Sequence, residues 1–237
     1  MTCKHGKCGD CVHCAAREGS VFNILNAEEA TYLQGRKSCL KLNHGEILFK
    51  EGQYPAGIYI ITSGKIKISK FGPEGREQIL QFVKEGDIVG YRSFVCQESY
   101  TCTATAITDV SLCFLKDDVV MSLFKRRPEL NLRFMKLLAK DLDYSEQHLV
   151  QIAQKSVRER VAESLLLLAK VYGTEEDGST LNIVLKRDEL AGIAGTIRET
   201  ATRFLYELQD SNIIQLHGKK IRILDLTKLE RTANTHT

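Results

Sequence analysis

The stretch LNIVLKRDELAGIAG (181–195), continued by TIRETATRFLYELQDSNII (196–214) and IIQLHGKKIRIL (213–224), decides how the chain is read. Its first part ends in a short helical pattern over Asp188–Ala194, and Gly195 permits a sharp turn. A second helix follows with Phe204, Leu205 and Leu208 on one side. Arg198, Glu199, Thr202 and Arg203 cluster on the other side, at its N-terminal end. A recognition helix presents its first turns to the DNA major groove in this way. Arg pairs bidentately with guanine O6 and N7, and Glu accepts from the cytosine amino group. The last part reads as a two-stranded wing whose tip, Gly218, Lys219 and Lys220, suits phosphate contact. The competing reading is a solvated helix, because Glu199 and Arg203 also have ion-pair spacing.

Working back from this module, a helix is expected at about Val157–Tyr172, then the polar loop GTEEDGST. Before it runs a long helix from about Pro128 to Gln154. Leu138, Leu142, Leu149 and Ile152 alternate four and three apart, with Ser145 the one polar position on the line; this is a coiled-coil seam. Either the seam joins two copies or the helix packs on its own chain. From Leu40 to Phe114 the period changes to two. Runs such as EILFK, GIYIIT, EQILQFV and VSLCFL lie between glycines 45, 52, 57, 64, 72, 75, 86 and 90, which reads as an antiparallel barrel or roll. A helical pattern covers about Ser20 to Ser38, with Asn26 a candidate N-cap. Residues 1–19 carry no apolar periodicity.

The fold class is therefore α+β: a β-roll over 20–127, a dimerisation helix over 128–155 and a winged helix-turn-helix over 156–237, after a cysteine-rich segment over 1–19. The net charge of +3 is weak, and residues 156–237 hold twelve cations and twelve carboxylates, so composition alone does not point to nucleic acid. No apolar run reaches the ~20 residues of a membrane span. The opening MTCKHGKCGD lacks a signal-peptide core, so a cytoplasmic, membrane-free protein is expected. No nucleophile–base pair, phosphate loop or hydrolase motif suggests an enzyme.

Eight cysteines without an export signal argue against a disulfide framework. Cys3, Cys8, Cys11 and Cys14 have the spacing C-x4-C-x2-C-x2-C. C-x2-C-x2-C with a remote fourth cysteine is the ferredoxin manner of holding 4Fe–4S. A zinc site of these four, with His5 and His13 in reserve, or a metal-free thiol switch also fits, as does a tail without function. Cys39, Cys96 and Cys102 read as core or surface residues.

The run IRETATRFLYELQDSNIIQLHGKKIRI (197–223) closely resembles the recognition helix and wing of the CRP/FNR family of bacterial regulators. GEILFKEGQYPAGIYIITSGKIKI (45–68) resembles that family's cyclic-nucleotide-binding-type β-roll, a jelly roll, and SVRERVAESLLLLA (156–169) its entry helix. The resemblance implies a homodimer on an inverted-repeat DNA site, with RNA polymerase as a further partner. It places Arg198, Glu199 and Arg203 at base-reading positions and, through Arg198, implies TGTGA-like half-sites; Thr202 departs from the CRP pattern. The cAMP-binding branch holds phosphate with an Arg-Ser pair and ribose with a Glu. Here Tyr100-Thr101 and Tyr91 stand there, so no cyclic nucleotide is expected. The FNR branch binds an oxygen-labile 4Fe–4S cluster through three N-terminal cysteines and one from the roll. By that resemblance the ligands are Cys8, Cys11, Cys14 and Cys113, with Cys3 in reserve, although the family's spacing between the second and third is longer. A haem or nitric-oxide sensor on the same scaffold is the alternative. The family's repelling Asp on the dimer helix is matched by Ser145, which implies that a stable dimer can survive cluster loss.

Overall fold

The computed structural model describes residues 11–73 and 75–234. They form two compact units, one with residues up to 70 and 80–143, the other with 71–79 and 144 onward. In the first, a short helix α1 (Ala15–Glu18) and a 3-10 turn (Val21–Ile24) precede α2 (Ala27–Gln34). The continuous helical pattern read from 20 to 38 is thus interrupted: Leu25 and Asn26 are extended. Asn26 explains the restart. Its side chain accepts from the Glu29 amide at 2.9 Å, and Glu29 accepts from the Asn26 amide at 3.0 Å, a reciprocal cap that satisfies two otherwise orphaned donors. Glu29 also accepts two bonds from Arg127, at 3.0 and 2.8 Å.

The roll follows as β1 (Ser38–Leu42), β2 (Ile47–Phe49), β3 (Gly57–Ser63), β4 (Ile66–Phe71), β5 (Glu77–Val83), β6 (Ile88–Val89), α3 (Tyr91–Cys96), β7 (Thr103–Ala106) and β8 (Val110–Lys116). Its two four-stranded sheets have the orders β1-β8-β3-β6 and β2-β7-β4-β5. At the β3–β4 turn Gly64 has φ +84°, and a Cβ there would lie 2.2 Å from the Asp109 carbonyl oxygen, so only glycine fits.

Strands β3 and β8 are apolar on both faces because both are covered. Ile61 and Leu112 join Phe49, Ile66 and Tyr100 in a core between the sheets. Ile58, Ile60, Cys113 and Leu115 face the other way, onto Phe22, Leu33, Leu123, Leu130 and Phe134 from the helices. Alternation along β8 thereby sends Leu112 and Cys113 into different cores. Helix α4 (Asp117–Arg126) leads into α5 (Pro128–Gln154), where Pro128 supplies a pre-set φ at the first position.

The second unit contains α6 (Val157–Tyr172), α7 (Arg187–Ala194), α8 (Arg198–Asp210), the hairpin β9 (Ile214–His217) and β10 (Lys220–Ile223), and α9 (Leu226–Ala233). Ser156 and Glu159 cap α6 reciprocally. Among the described residues no helix is long and apolar enough to cross a membrane.

Candidate DNA interface and cysteine site

Helices α7 and α8 are joined at Gly195, whose φ of +60° supplies the left-handed turn read from the sequence. Arg160 of α6 fixes that turn from below. It donates to the carbonyls of Ala194 at 2.9 Å and Gly195 at 3.3 Å, and also to those of Lys155 at 2.7 Å and Ile152 at 3.4 Å, so four carbonyls share one guanidinium. Ala201, Leu205 and Leu208 bury the inner face of α8. Arg198, Glu199 and Arg203 are exposed on its outer face, with Thr202 half-buried.

A cleft of about 740 Å³ runs between these residues and the hairpin, lined by Lys186, Arg187, Arg198, Thr202, Tyr206 and Lys219 among others. Arg187 donates to the Gly218 carbonyl at 3.2 Å and ties the start of α7 to the hairpin tip. Sequence reading missed Lys186, Arg187 and Tyr206; the first two stand at the start of α7 and the third lies on α8, one turn on from Thr202. The two wing lysines differ. Lys220 is held by Glu175 at 2.6 Å, while Lys219 is exposed at the tip. Arg198 lies 3.9 Å from Asp188, a solvated pair worth little in either direction.

In the first unit, Cys11 and Cys113 are each 5% exposed and belong to one core cluster, although 102 positions separate them. Cys14 is half-buried at the N-cap of α1. Arg17 shapes this segment by donating to the carbonyls of Val12 and Leu25, both at 2.9 Å. The Cys11 amide donates to Gln34 Oε1 at 3.2 Å, which docks the segment on the end of α2. Three residues on, Lys37 immediately precedes β1. Burial works against its charge, but a hydrogen bond with Cys11 and the nearby thiols of Cys113, Cys11 and Cys14 outweigh it, and its pKa lies above the ordinary lysine value.

Among the described residues no three His, Cys, Asp or Glu side chains stand close enough together to hold a metal ion. Cys3, Cys8 and His5 lie outside the described residues. Cys11, Cys14, Cys96, Cys102 and Cys113 are free thiols, and Cys39, read from sequence as a core or surface residue, is disulfide-bonded. Cys39 faces Cys113 across the β1–β8 pair.

Along α5, Leu142 is 60% and Leu149 67% exposed, and Ile152 is exposed as well, while Leu138 is half-buried. The apolar line read from the sequence is thus left largely uncovered by the chain itself.

Comparison with known proteins accounts for both units. Residues 39–127 match the cyclic nucleotide-binding domain, and residues 159–232 the Crp-like helix-turn-helix domain. A CRP-like cAMP-activated global transcriptional regulator of Mycobacterium tuberculosis is 34% identical over 220 residues, 92% of this chain and 97% of that one. The chain belongs to the CRP/FNR family of DNA-binding transcription regulators. The anaerobic regulatory protein of Haemophilus influenzae is 25% identical, covering 95% of this chain and 88% of its own. A crp/fnr-family regulator from Eubacterium rectale shares the fold at TM-score 0.78 and 22% identity, over 90% of this chain and 97% of that one.

Within this CRP/FNR regulator Tyr100 is part of the core between the two sheets of the roll. Tyr100 is 4% exposed and stacks on Phe49 with ring centroids 3.8 Å apart. Gly90 lies against its hydroxyl: a Cβ there would sit 3.3 Å away. Arg92 does not enter this core; it donates to Thr101 at 3.2 Å from an exposed position. Tyr91 points elsewhere, and its hydroxyl donates to the Asp141 carboxylate of α5. Burial raises the Asp141 carboxyl above its usual range, and the tyrosine bond offsets this in part. Phe134 of α5 meets Tyr91, Phe22 and Phe124 edge-on, with centroids 6.1, 5.9 and 5.0 Å away. The segment carrying Cys11 and Cys14 is therefore linked through Phe22 and Phe134 to Tyr91 and Asp141.

Proposed function

We propose that this regulator acts as a homodimer on an inverted repeat of TGTGA-like half-sites, and that an oxygen- or redox-labile 4Fe–4S cluster controls its affinity. The observation that carries this reading is that Cys11 of the cysteine segment and Cys113 of β8, far apart in sequence, are buried in one core cluster. Thiolates are what an iron–sulfur cluster requires. By the family resemblance Cys8 and Cys14 complete the set with Cys11 and Cys113, and Cys3 is in reserve.

When bound, the cluster supplies bonds that tie residues 8–14 to β8 and that oxidants break. The chain does the rest. Arg17 and Gln34 hold the cysteine segment on α2, Phe22 carries its position to Phe134, and Tyr91 engages Asp141 on α5. Such contacts bias the population of the form whose two recognition helices sit one DNA turn apart. Arg198, Glu199, Thr202 and Arg203 then read base edges, while Lys219 and, if released by Glu175, Lys220 meet phosphate. The buried ring of Tyr100 argues that cyclic nucleotide is not the signal, in contrast to the cAMP-activated relative. Cytoplasmic residence follows from this role.

Iron and acid-labile sulfide on protein purified without oxygen test the reading. About four of each per chain, lost together in air, are expected. Zinc near one per chain without sulfide would sink it. The dimer has its own test: Leu149→Glu sets two carboxylates against each other across the seam. Sedimentation equilibrium at micromolar concentration should show a shift from two copies to one, and an unchanged mass would remove Leu149 from the interface.

A further inference from the structure

The loop GTEEDGSTL (173–181), between α6 and α7, carries three carboxylates in a row and lies against the wing. Its backbone is fastened on two sides. The Glu175 amide donates to the Thr180 carbonyl at 2.7 Å and the Gly178 amide to the Glu175 carbonyl at 3.0 Å, which closes a tight turn. Asp177 accepts from the Ser179 and Thr180 amides at 3.0 and 2.8 Å and from the Thr180 hydroxyl at 2.6 Å. Beyond the turn, the Leu181 amide donates to the Ile221 carbonyl and the Ile223 amide to the Ser179 carbonyl, both at 2.9 Å. The end of the loop thus runs along β10 as a further strand would.

Alternation on β10 buries Ile221 and Ile223 and turns Lys220 and Arg222 to one exposed side. Both cations meet the loop. Lys220 Nζ is 2.6 Å from Glu175, while Arg222 Nε is 3.7 Å from Asp177 and donates to the Ser179 hydroxyl at 2.9 Å. Partly exposed ion pairs add little to stability. Backbone bonds place these carboxylates, however, so little extra ordering opposes the pairing, and the wing cations are occupied before DNA arrives.

We propose that Glu175 is an affinity-setting residue: its carboxylate stands in for a DNA phosphate on Lys220 and must be displaced before that lysine neutralises one. The inference rests on the reading of the hairpin as a wing that meets DNA. A lysine that reaches a phosphate releases a counterion, whereas a lysine drawn off Glu175 leaves that carboxylate to recruit one. The exchange holds down both the affinity for any sequence and its dependence on salt.

Full-length wild type and Glu175→Gln are compared by fluorescence anisotropy on a duplex with an inverted repeat of TGTGA half-sites and on a scrambled duplex, across a range of salt. Gln keeps the size of the side chain and an acceptor oxygen for Lys220, and removes the charge. Glu175→Gln should bind both duplexes about threefold more tightly at low salt, with a salt slope steeper by about 0.9. Adding Lys220→Ala should cancel the gain. Glu176→Gln, the same change of net charge on the exposed side chain next door, is the control and should do less. Equal effects of the two Gln variants, a gain that survives Lys220→Ala, or no change in Glu175→Gln would each overturn the proposal. Lys219→Ala then tells whether the wing reading stands: weaker binding with a lower salt slope keeps it, and unchanged binding removes it as well.

Discussion

Cys113→Ala should leave a folded protein that holds no cluster and binds its DNA site at least tenfold more weakly without oxygen than wild type does. The side chain is 5% exposed in β8 and packs in the core beneath the helices. Trimming it to alanine removes one small sulfur, at a cost on the order of 1 kcal/mol. For a chain of this size that lowers Tm by about 2–4 °C. Loss of iron therefore cannot be attributed to unfolding. The tenfold figure corresponds to about 1.4 kcal/mol of population shift. Cys102→Ala is the control, because burial raises that thiol's pKa and it packs against the other core. Equal iron, sulfide and affinity in Cys113→Ala and wild type would remove β8 from the sensor. Cluster loss in both alanine variants would show that core packing is what matters.

Arg198→Ala and Glu199→Ala should each weaken binding to the inverted repeat by about 1–3 kcal/mol and flatten preference at one base position. Both side chains are exposed, so the fold has no stake in them. The Asp188 pair that Arg198 leaves behind is solvated on both sides. Lys219→Ala should behave differently. A phosphate contact weakens all sequences alike and lowers the salt slope by about one. Lys220→Ala should do less, because Glu175 already holds that ammonium. Fluorescence anisotropy on matched and mismatched duplexes at two salt concentrations separates the cases. A uniform loss for Arg198→Ala would reassign it from base to backbone, and the TGTGA-like half-site would go with it.

Much of the architecture follows from local pattern. Period-two runs between glycines yield the roll, since alternation decides which side of a strand is buried. Gly195 between two 3.6-period segments yields the helix-turn-helix, because a left-handed residue is needed where Arg160 gathers the turn's carbonyls. Asn26 was legible as a cap, but the extended Leu25 ahead of it was not, because helical spacing continues across the break. The exposed line on α5 was also legible, because an amphipathic seam is written in every turn of its helix.

What residues far apart in sequence do to one another was decided only by the tertiary structure. Sequence alone determined that the four amino-terminal cysteines have ligand spacing. It could not bring Cys113 into one core with Cys11. Nor could it show that Tyr100 stacks on Phe49 within the roll, or that Glu175 restrains Lys220. The physical reason is the same in each case. Periodicity reports which face of an element is buried, whereas the partner on that face depends on how sheets and helices stack, and no local residue pattern encodes it.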